Sequence, residues 1–448
     1  MARASSLSGF PEWLPGQRLV ELHVLDTLRE VFELHGFSSI ETRAVEPLET
    51  LVHQGETSKE VYVVRRLQAD PSADDTGLGL HFDLTVPLAR YVVENAGRLT
   101  FPFRRFQVQK AWRGERPQEG RSREFTQADV DIVGRDSLGF HHEVELPLAV
   151  ADAFARLPMP PVRMLVNNRR VAEGFYLGLG VDASAVTAVL RTVDKLDKIG
   201  AKAVHGLLVD DGLTDAQATS CLQLAGIRGT DASVVDAVHA LGVRHELLDR
   251  GLAELAQLMA AAAEHAPGLL VADLRIARGL DYYTGTVYET QLVGHEDLGS
   301  VCSGGRYDAL ATDGTTTYPG VGVSVGVTRL LSRLLGRGLV EPSRSVPTCV
   351  LVALPDEPAR AECVRIAAAL RARGIATEVA PDAAKYGKQI RYAERRGIPF
   401  VWFPGSGDTE QQVKDIRSGD QVSADPASWS PPAADRRPTM HATKGSDT

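Results

Sequence analysis

The first strongly periodic stretch of the chain covers residues 15–34, where Leu25, Leu28 and Phe32 recur at the spacing of one helical face. Gly36 follows at the position where a residue in the left-handed conformation commonly ends a helix. The pattern therefore predicts an amphipathic helix that ends just before this glycine.

A second helix is predicted within the segment LGLHFDLTVPLARYVVENAG at residues 78–97. This segment is expected to run as a strand into Asp83 and then to continue as a helix. Thr85 is a plausible N-cap for that helix, and Pro87 would lie in its first turn, where proline is well tolerated.

Alternation of polar and apolar residues between positions 101 and 134 predicts two strands joined by a loop. FPFRRFQVQKAWR and EFTQADVDIVG alternate, and GERPQEGRSR lies between them. Successive side chains of a strand point to opposite faces, so one face of the second strand would carry Phe125, Gln127, Asp129 and Asp131. An aromatic ring, an amide and two carboxylates on one face indicate a lined pocket rather than a solvated surface.

Shifts in pattern along the chain predict several structural regions. An Ala- and Leu-rich stretch with helical periodicity indicates a helical insertion, and GVGVSVGVTRLLSRLLGRG predicts a buried strand that enters an amphipathic helix. Strands that alternate with helices after Pro347 predict a small α/β domain with a mainly parallel sheet. The predicted regions are an α+β core at 1–167 and 269–340, the insertion at 168–268, the α/β domain at 347–425 and a flexible tail at 426–448.

Composition and charge exclude several classes of protein. Of 448 residues, 44% are hydrophobic and 24% are charged, which excludes a wholly disordered or fibrous chain. The 49 Lys and Arg residues against 58 Asp and Glu residues give a net charge of -9, which argues against a surface coated in basic charge. A local basic cleft remains compatible with this total.

Cysteine and histidine spacing predicts no metal or disulfide framework. The 4 cysteines include no CxxC pair, and the histidines have no HxxxH or cysteine partners, so we expect neither a disulfide scaffold nor a zinc site. The chain has no signal-peptide core at its N-terminus and no apolar run of about 18 residues. We therefore expect a cytoplasmic protein that does not enter the membrane.

Residues 101–127 form a locally basic segment within this acidic chain. Seven Lys and Arg residues against three Glu residues give the segment a charge of +4. Arginines at the ends of a strand–loop–strand hairpin can clamp a polyphosphate, because guanidinium binds phosphate oxygens in a bidentate manner. The alternative for such a charge run is a solvated loop. Phe125, whose ring could stack on a base beside Gln127 and Asp131, favours the binding interpretation.

Several motifs together resemble the histidyl-tRNA synthetase family of class II aminoacyl-tRNA synthetases. RGLDYYTGTVYE is similar to the histidine-specific signature of that family, and WRGERPQEGRSREFTQADVDIVG is similar to its motif 2. The resemblance implies a catalytic core built on an antiparallel β-sheet flanked by helices, with an anticodon-binding α/β domain after it. It extends over nearly the whole chain through FDLTVPLARY at 82–91, SGGRYDAL at 303–310, GVGVSVGVTRLL at 320–331, KYGKQIRYAERRGIP and VKDIRSGD.

The resemblance implies an ATP site built from the motif 2 and motif 3 residues. Arg113 would hold the α-phosphate and the attacking carboxylate, and Arg278 would lie near the same phosphate; these two are the implied catalytic residues. Glu115 would orient the adenine amino group and Phe125 would stack beneath the ring. The β- and γ-phosphates would be held by Arg121 and Arg329.

The resemblance also implies a histidine site and tRNA contacts. Asp83, Thr85 and Gln127 would receive the α-amino group, while Asp131 and Tyr283, helped by Tyr307, would bind the imidazole. The remaining implied histidine-binding residues are Arg113, Arg278 and Tyr282. Candidates for tRNA contact are Arg116, Gln118, Lys385, Lys388, Arg391, Arg395 and Arg396; a solvated helix face is the alternative for the last five.

The implied function is a ligase that joins histidine to its tRNA with ATP and Mg²⁺, acting as a homodimer. A non-catalytic histidine-binding regulatory paralogue of ATP phosphoribosyltransferase is the main alternative, and an adenylating enzyme for another carrier is a third. Three positions depart from the family pattern. Thr328 stands where a Glu is common, Arg43 stands near the usual motif 1 proline, and Asp131 is shorter than the usual Glu.

Overall fold

The computed structural model describes residues 6–52, 60–68, 77–276, 282–405 and 410–443. Its backbone divides into two compact units. The first comprises Met1–Pro11 and Leu25–Arg333, and the second comprises Glu12–Val24 and Leu334–Thr448. No helix within the described ranges is long and apolar enough to cross a bilayer.

Helices and strands alternate irregularly along the chain. The helices are α1 (Pro15–Leu34), α2 (Leu48–Val52), α3 (Thr85–Asn95), α4 (His141–Ala155), α5 (Arg169–Gly178), α6 (Val186–Val193), α7 (Leu196–Ile199), α8 (Ala201–Asp210), α9 (Asp215–Ala225), α10 (Ser233–His239), α11 (Glu246–His265), α12 (Val327–Gly336), α13 (Arg360–Ala372) and α14 (Tyr386–Arg396). The strands are β1 (Ser38–Ser39), β2 (Val45–Pro47), β3 (Val63–Val64), β4 (Leu78–Leu80), β5 (Phe103–Trp112), β6 (Glu124–Val133), β7 (Val162–Asn168), β8 (Arg228–Gly229), β9 (Leu270–Asp273), β10 (Thr286–Leu292), β11 (Cys302–Tyr307), β12 (Gly320–Gly326), β13 (Val340–Pro342), β14 (Val350–Val352), β15 (Thr377–Val379), β16 (Phe400–Phe403), β17 (Gln412–Asp415), β18 (Gln421–Ser423) and β19 (Met440–Ala442).

A nine-stranded sheet forms the centre of the first unit, in the order β1-β5-β6-β12-β11-β10-β7-β9-β8. All pairings from β5 to β7 are antiparallel, which confirms the predicted antiparallel core. Two pairings nearer the margins, β1 with β5 and β7 with β9, are parallel, so the sheet is mixed. On β6, Ala128, Val130 and Ile132 are fully buried on one face, as the alternation predicts.

The two helices predicted near the start of the chain are present, with one correction. Gly36 follows α1 with a φ of 77°, the left-handed conformation expected at that position. Thr85 is not the N-cap of α3; it is the first helical residue, and Leu84 precedes it without a side-chain cap. The free N–H of Val86 is instead bound by Asp83 Oδ1 at 3.0 Å. A carboxylate suits this place because it can accept an N–H at the positive end of a helix.

Most of the segment between β7 and β9 is helical. Helices α5 to α11 occupy it, and the short strand β8 is the exception that the sequence pattern did not indicate. Helices α5 to α11 together run from Arg169 to His265. The first unit contains these helices together with the central sheet.

The second unit contains a five-stranded sheet in the order β15-β14-β16-β17-β18. β14 pairs parallel to β15 and β16, whereas β17 and β18 add antiparallel pairings at one edge. The three strands predicted from the sequence pair in parallel, as expected, and β17 and β18 are additional strands that the pattern did not indicate. Gly374 and Gly397 end α13 and α14 with φ values of 74° and 71°, as expected for left-handed caps.

The region predicted as a flexible tail contains regular structure that the sequence pattern did not anticipate. β19 pairs antiparallel with β13, and residues Ala433–Asp435 form a short 3-10 helix. Asp435 receives two hydrogen bonds from Arg417, at 2.7 and 2.8 Å. These contacts attach the described end of the chain to the second unit.

Candidate active site

A cavity of about 400 Å³ opens over the central sheet of the first unit. Its walls come from β6, β10, β11 and β12, from the loop after β5, and from the first turns of α3 and α12. Arg278 lies outside the described residues. The predicted residues that line the cavity are Asp83, Thr85, Arg113, Glu115, Arg121, Phe125, Gln127, Tyr282, Tyr283 and Arg329.

The polar and aromatic side chains of β6 share the face that the alternation predicts. Phe125 and Gln127 line the cavity, and Asp129 and Asp131 follow on the same face but are buried behind its wall, each 2% exposed. The face of β6 thus changes along its length from open cavity to a closed polar interior. We call Arg113, Arg121 and Arg329 the arginine end of the site. We call Asp83 and Gln127 at the wall, with Asp129 and Asp131 buried behind it, the acidic end.

The arginine end concentrates positive charge within a partly buried space. Burial, together with the nearby guanidinium groups of Arg333 and Arg121, lowers the pKa of Arg329 to about 10. Its Nε has no hydrogen-bond partner among the described residues. Clustered cations of this kind repel one another, so an anion placed among them would be strongly favoured.

Arg113 is oriented by the backbone and by an aromatic ring. Its Nε donates to the carbonyl oxygen of Phe82 at 3.0 Å, and its guanidinium carbon lies 5.2 Å from the ring centre of Phe125. Arg121 is 3.5 Å from a carboxylate oxygen of Glu115 across the loop between β5 and β6. The loop therefore brings two guanidinium groups, a carboxylate and a stacking ring to one side of the cavity.

Two residues of the cavity wall carry buried acceptor atoms that have no partner among the described residues. Asp83 Oδ2 and Gln127 Oε1 have no hydrogen-bond partner among the described residues, although these side chains are only 3% and 8% exposed. Burial raises the pKa of Asp83, against the opposing effects of its backbone bond to Val86 and the charge of Arg113. Buried acceptors without partners beside a cavity suit a ligand that brings its own donors, such as an ammonium group. Thr85 contributes through a side-chain hydrogen bond with Tyr282.

Asp131 and Tyr307 do not line the cavity but lie directly behind it. Tyr307 donates to Asp131 Oδ1 at 2.9 Å, and the guanidinium of Arg105 lies 2.7 Å from Asp131 Oδ2. Burial raises the pKa of Asp131, while Arg105 opposes that shift. Arg105 is fully buried, so its charge is neutralised within the sheet rather than by solvent.

Glycines on β12 provide the space for these side chains. A Cβ at Gly322 would lie 1.9 Å from Asp131 Oδ1, and one at Gly320 would lie 2.3 Å from the ring of Tyr307. Both distances are too short for any real contact. The run GVGV in β12 therefore matches the bulk of Asp131 and Tyr307, which stand on the neighbouring strands.

Sequence reasoning missed several residues of the site. Ser324, the one polar side chain within the strand GVGVSVG, lines the cavity and bonds both Gln127 and Asp129. Arg105 was not singled out because it belongs to a strand where its partner Asp131 is distant in sequence. Glu289 also lines the cavity. The isolated serine among glycines and valines was the available signal.

Two of the departures from the family pattern have a structural role. Thr328 accepts a hydrogen bond from the backbone N–H of Thr126 at 2.8 Å, so its hydroxyl joins α12 to β6. Arg43 donates to Glu46, which is fully buried and also bound by Arg90. No cluster of three potential metal ligands occurs within the described ranges.

The residues suggested for tRNA contact lie outside the cavity. Arg116 and Gln118 are exposed on the loop between β5 and β6. Arg396 is engaged within the second unit, where it contacts Glu378 and the ring of Tyr392, so it differs from its neighbours. The exposed candidates at or next to α14 are Lys385, Lys388, Arg391 and Arg395.

Comparisons with known proteins agree on one family. A family model described as histidyl-tRNA synthetase matches residues 9–330, and an anticodon binding domain model matches residues 348–427. A histidine--tRNA ligase of Cutibacterium acnes is 58% identical over 99% of this chain and 100% of its own length. One from Thermobifida fusca is 51% identical over 95% of this chain and 98% of its own.

Solved structures extend the comparison to the fold. A crystal structure of histidyl-tRNA synthetase from Nostoc sp. PCC 7120 superposes with a TM-score of 0.85 at 34% identity, covering 95% of this chain and 97% of that one. A structure titled ATP phosphoribosyltransferase regulatory subunit/histidyl-tRNA synthetase, from Bacillus halodurans C, shares the fold with a TM-score of 0.70 at 20% identity, covering 84% and 92%. The chain belongs to the histidyl-tRNA synthetase family.

Proposed function

We propose that this protein is a histidine--tRNA ligase that activates histidine with ATP and transfers the histidyl group to tRNA. The observation that supports this most directly is the pairing of an arginine end with an acidic end in one cavity. The arginine end suits the negative charge of a triphosphate. The ammonium group of an amino acid supplies donors for the unpartnered oxygens of Asp83 and Gln127 at the acidic end.

Activation follows from the placement of charge in the arginine end. A carboxylate oxygen of histidine attacks the α-phosphorus of ATP, the new C–O–P bond forms, and the bond to the leaving pyrophosphate breaks. Arg113, whose charge also acts on Asp83, would stabilise charge on the α-phosphate, while Arg121 and Arg329 would hold the β- and γ-phosphates. The carboxylate is already the nucleophile, so this step needs no general base. Arg278 is proposed to act beside the α-phosphate.

Transfer completes the reaction. A hydroxyl oxygen of the 3′-terminal adenosine of the tRNA attacks the carbonyl carbon of the adenylate and forms the ester bond. The C–O bond to AMP breaks, AMP leaves with its electron pair, and the hydroxyl proton passes to the departing phosphate. Glu115 and Phe125 would hold the adenine, the first by its amino group and the second by stacking. Mg²⁺ would arrive with ATP, since it prefers phosphate oxygens and water to a cage made entirely of protein ligands.

Recognition of the imidazole is proposed to depend on Tyr283 at the cavity wall, with Asp131 and Tyr307 behind it. The charge of Asp131 is balanced by Arg105, so a hydrogen-bonded polar surface meets the ring without an isolated buried charge. A site built to bind N–H groups rejects an isosteric side chain that lacks them, with discrimination that reaches about 10⁴-fold in other synthetases.

The regulatory alternative is disfavoured by the extent of the chain. Relatives that carry the ligase name align over nearly all of it, including the region matched by the anticodon binding domain. In that domain the exposed basic residues at or next to α14 are proposed to contact tRNA, as are Arg116 and Gln118 in the first unit. We further propose that the protein is a homodimer, by analogy with its family.

Histidine-dependent exchange of labelled pyrophosphate into ATP, followed by aminoacylation of tRNA, tests the function. A ligase performs both reactions, and a histidine-binding regulator performs neither. An enzyme that serves another carrier would exchange pyrophosphate without charging tRNA. Failure of exchange with histidine and MgATP at saturating concentrations would exclude the proposed activation.

Charge reversal on α14 tests the proposed tRNA surface. The double variant Lys388→Glu/Arg391→Glu should raise the KM for tRNA by about tenfold or more, because it replaces attraction to phosphates by repulsion. Pyrophosphate exchange, which uses no tRNA, should not change. Arg365→Glu on α13 is the matched control, since Arg365 is 76% exposed and pairs only at the surface with Glu362. Equal effects of the double variant and the control would argue against this surface.

A further inference from the structure

Three side chains at the acidic end form a continuous hydrogen-bonded series. Gln127 Nε2 donates to Ser324 Oγ at 2.6 Å, and Ser324 Oγ in turn donates to Asp129 Oδ1 at 2.5 Å. Gln127 and Ser324 line the cavity, whereas Asp129 is 2% exposed behind it. We call these three residues the relay.

The direction of the relay determines which atom of Gln127 faces the cavity. A carboxylate only accepts hydrogen bonds, so Asp129 accepts the one hydrogen bond that the hydroxyl of Ser324 can donate. The serine oxygen must then accept from the amide nitrogen of Gln127, because its own proton is already used. The amide oxygen, Gln127 Oε1, is left as the group without a partner among the described residues. The usual ambiguity between amide oxygen and nitrogen is thereby resolved by the network.

We infer that Asp129 is a positioning residue for the amino acid substrate, which acts through Ser324 to hold the amide oxygen of Gln127 toward the substrate's ammonium group. Asp83 Oδ2 supplies a second acceptor at the same end of the cavity. If the amide were reversed, its N–H groups would face a cation and the hydrogen bond would be replaced by repulsion. This inference rests on the proposed function, because it takes histidine as the ligand.

The charge around Asp129 supports its place in the relay. Burial raises the pKa of this carboxyl to about 7, with Arg105 and Ser324 favouring the ionised form and Asp131 and Asp83 opposing it. Ligand binding at Gln127 and Asp129's ionisation are therefore linked through a single serine hydroxyl.

Substitution of Asp129 by asparagine supplies a donor that can reverse the relay without removing volume. An asparagine amide can donate to Ser324, which would then donate to Gln127 and turn its nitrogen toward the cavity. Titration of the intact protein should show histidine binding weakened by about 10- to 100-fold in Asp129→Asn, the range expected for loss of a hydrogen bond to a charged group. Ser324→Ala, which interrupts the relay, should weaken histidine binding in the same direction.

Ligand analogues separate a positioning role from a purely structural one. Histidinol keeps the amino group of histidine, so its affinity for Asp129→Asn should fall as that of histidine does. Imidazole propionate, which is histidine without its amino group, should bind Asp129→Asn as it binds the wild type, and ATP binding should also be unchanged. Asp152→Asn, which removes a partly exposed carboxylate that contacts Arg156 and His35, is the matched control and should bind all four ligands normally. Equal loss for histidine and imidazole propionate would overturn the inference.

A compensating substitution tests the direction of the relay. A glutamate side chain has two carboxylate oxygens and no N–H group that could turn toward the ligand. Gln127→Glu/Asp129→Asn should therefore bind histidine more tightly than Asp129→Asn alone. Gln127→Glu by itself should bind less tightly than that double variant, because two carboxylates would compete for one serine proton. Additive effects of the two substitutions would overturn the relay.

The same titrations separate this inference from the proposed function. A wild-type protein that binds histidine but exchanges no pyrophosphate would refute the ligase proposal, and the variants would still decide the relay. A wild-type protein that binds no histidine would refute both. Unchanged histidine affinity in Asp129→Asn and Ser324→Ala would refute the relay alone.

Discussion

The arginine end and the acidic end of the cavity differ in how their charged groups are held. Arg121 is 44% exposed on a loop, and its contact with Glu115 at 3.5 Å is loose. Asp131 and Arg105 stand on adjacent strands, are almost completely buried, and are 2.7 Å apart. Solvent can screen the charges of the arginine end when no ligand is bound. The charges of the acidic end must instead be balanced by buried partners.

This difference predicts that the two ends respond differently to mutation. Removal of Arg121 from the loop takes away a ligand contact but leaves only the partly exposed Glu115 without its partner, so the fold should tolerate it. Removal of a member of the buried network leaves its partner without compensation, so stability and histidine binding should fall together. Function and folding are thus separable at the arginine end and coupled at the acidic end.

The largest expected effect is that of Arg113→Ala on activation. Loss of a positive group that stabilises charge in the transition state should reduce pyrophosphate exchange by about 10³-fold, effectively abolishing it. Thermal unfolding should be nearly unchanged, because the described contacts of this side chain are few. Arg113→Lys keeps the charge but not the fork of donors and should recover only part of the rate. Exchange at the wild-type rate in Arg113→Ala would show that the arginine end is not the phosphate site.

Arg105→Met should give the largest loss of stability. It leaves Asp131 buried without its cation, and a buried pair broken in this way typically costs about 3 to 5 kcal/mol. Urea unfolding followed by tryptophan fluorescence measures the loss. Arg121→Met, the same substitution at the exposed arginine end, should change the free energy of unfolding by only about 0.5 kcal/mol. Equal losses for the two variants would remove the distinction between the ends.

Sequence patterns predicted the arginine end better than the acidic end, for a physical reason. Arg113, Arg121 and Phe125 lie within 13 positions of one another, so a single hairpin pattern brings them together. The alternation along β6 also identified Asp131, because the face of a strand can be deduced from its own residues. Their partners could not be deduced in this way. Arg105 and Ser324 reach Asp131 and Asp129 only through the pairing of β6 with β5 and β12.

Local capping and sheet edges show the same limitation. Thr85 has the residue type of an N-cap, but Asp83 performs that role because the helix begins one residue earlier than the pattern implied. Periodicity in the second unit indicated the parallel strands that alternate with helices. It did not indicate β17 and β18, whose polar sequences form a hairpin stabilised by pairing with β16. Intrinsic propensity predicts the type of element, whereas tertiary contacts determine where the element begins and ends and which elements it pairs with.

Titration of Asp129 should affect histidine binding at intermediate pH. The pKa of this carboxyl lies at about 7, above its ordinary value, because of its burial. As pH falls from about 8 to about 6, Asp129 takes up a proton and no longer forces Ser324 to donate toward it. The KM for histidine in the wild type should therefore rise toward the value for Asp129→Asn. Titration of the ligand's own imidazole affects the wild type and Asp129→Asn equally, so it does not alter the comparison between them. Parallel pH profiles of the KM for histidine in the two proteins would contradict the prediction.

Salt should have the smallest effect and should act on one end only. Exposed charges are screened over about 8 Å at physiological ionic strength, whereas buried pairs are screened much less. An increase from about 0.05 M to about 0.5 M salt should raise the KM for ATP a few-fold through groups such as Arg121, and the KM for histidine should change little. Arg121→Ala provides the control, because its KM for ATP should depend less on salt than that of the wild type. An equal salt dependence of the two KM values would mean that solvent reaches the acidic end as readily as it reaches the loop.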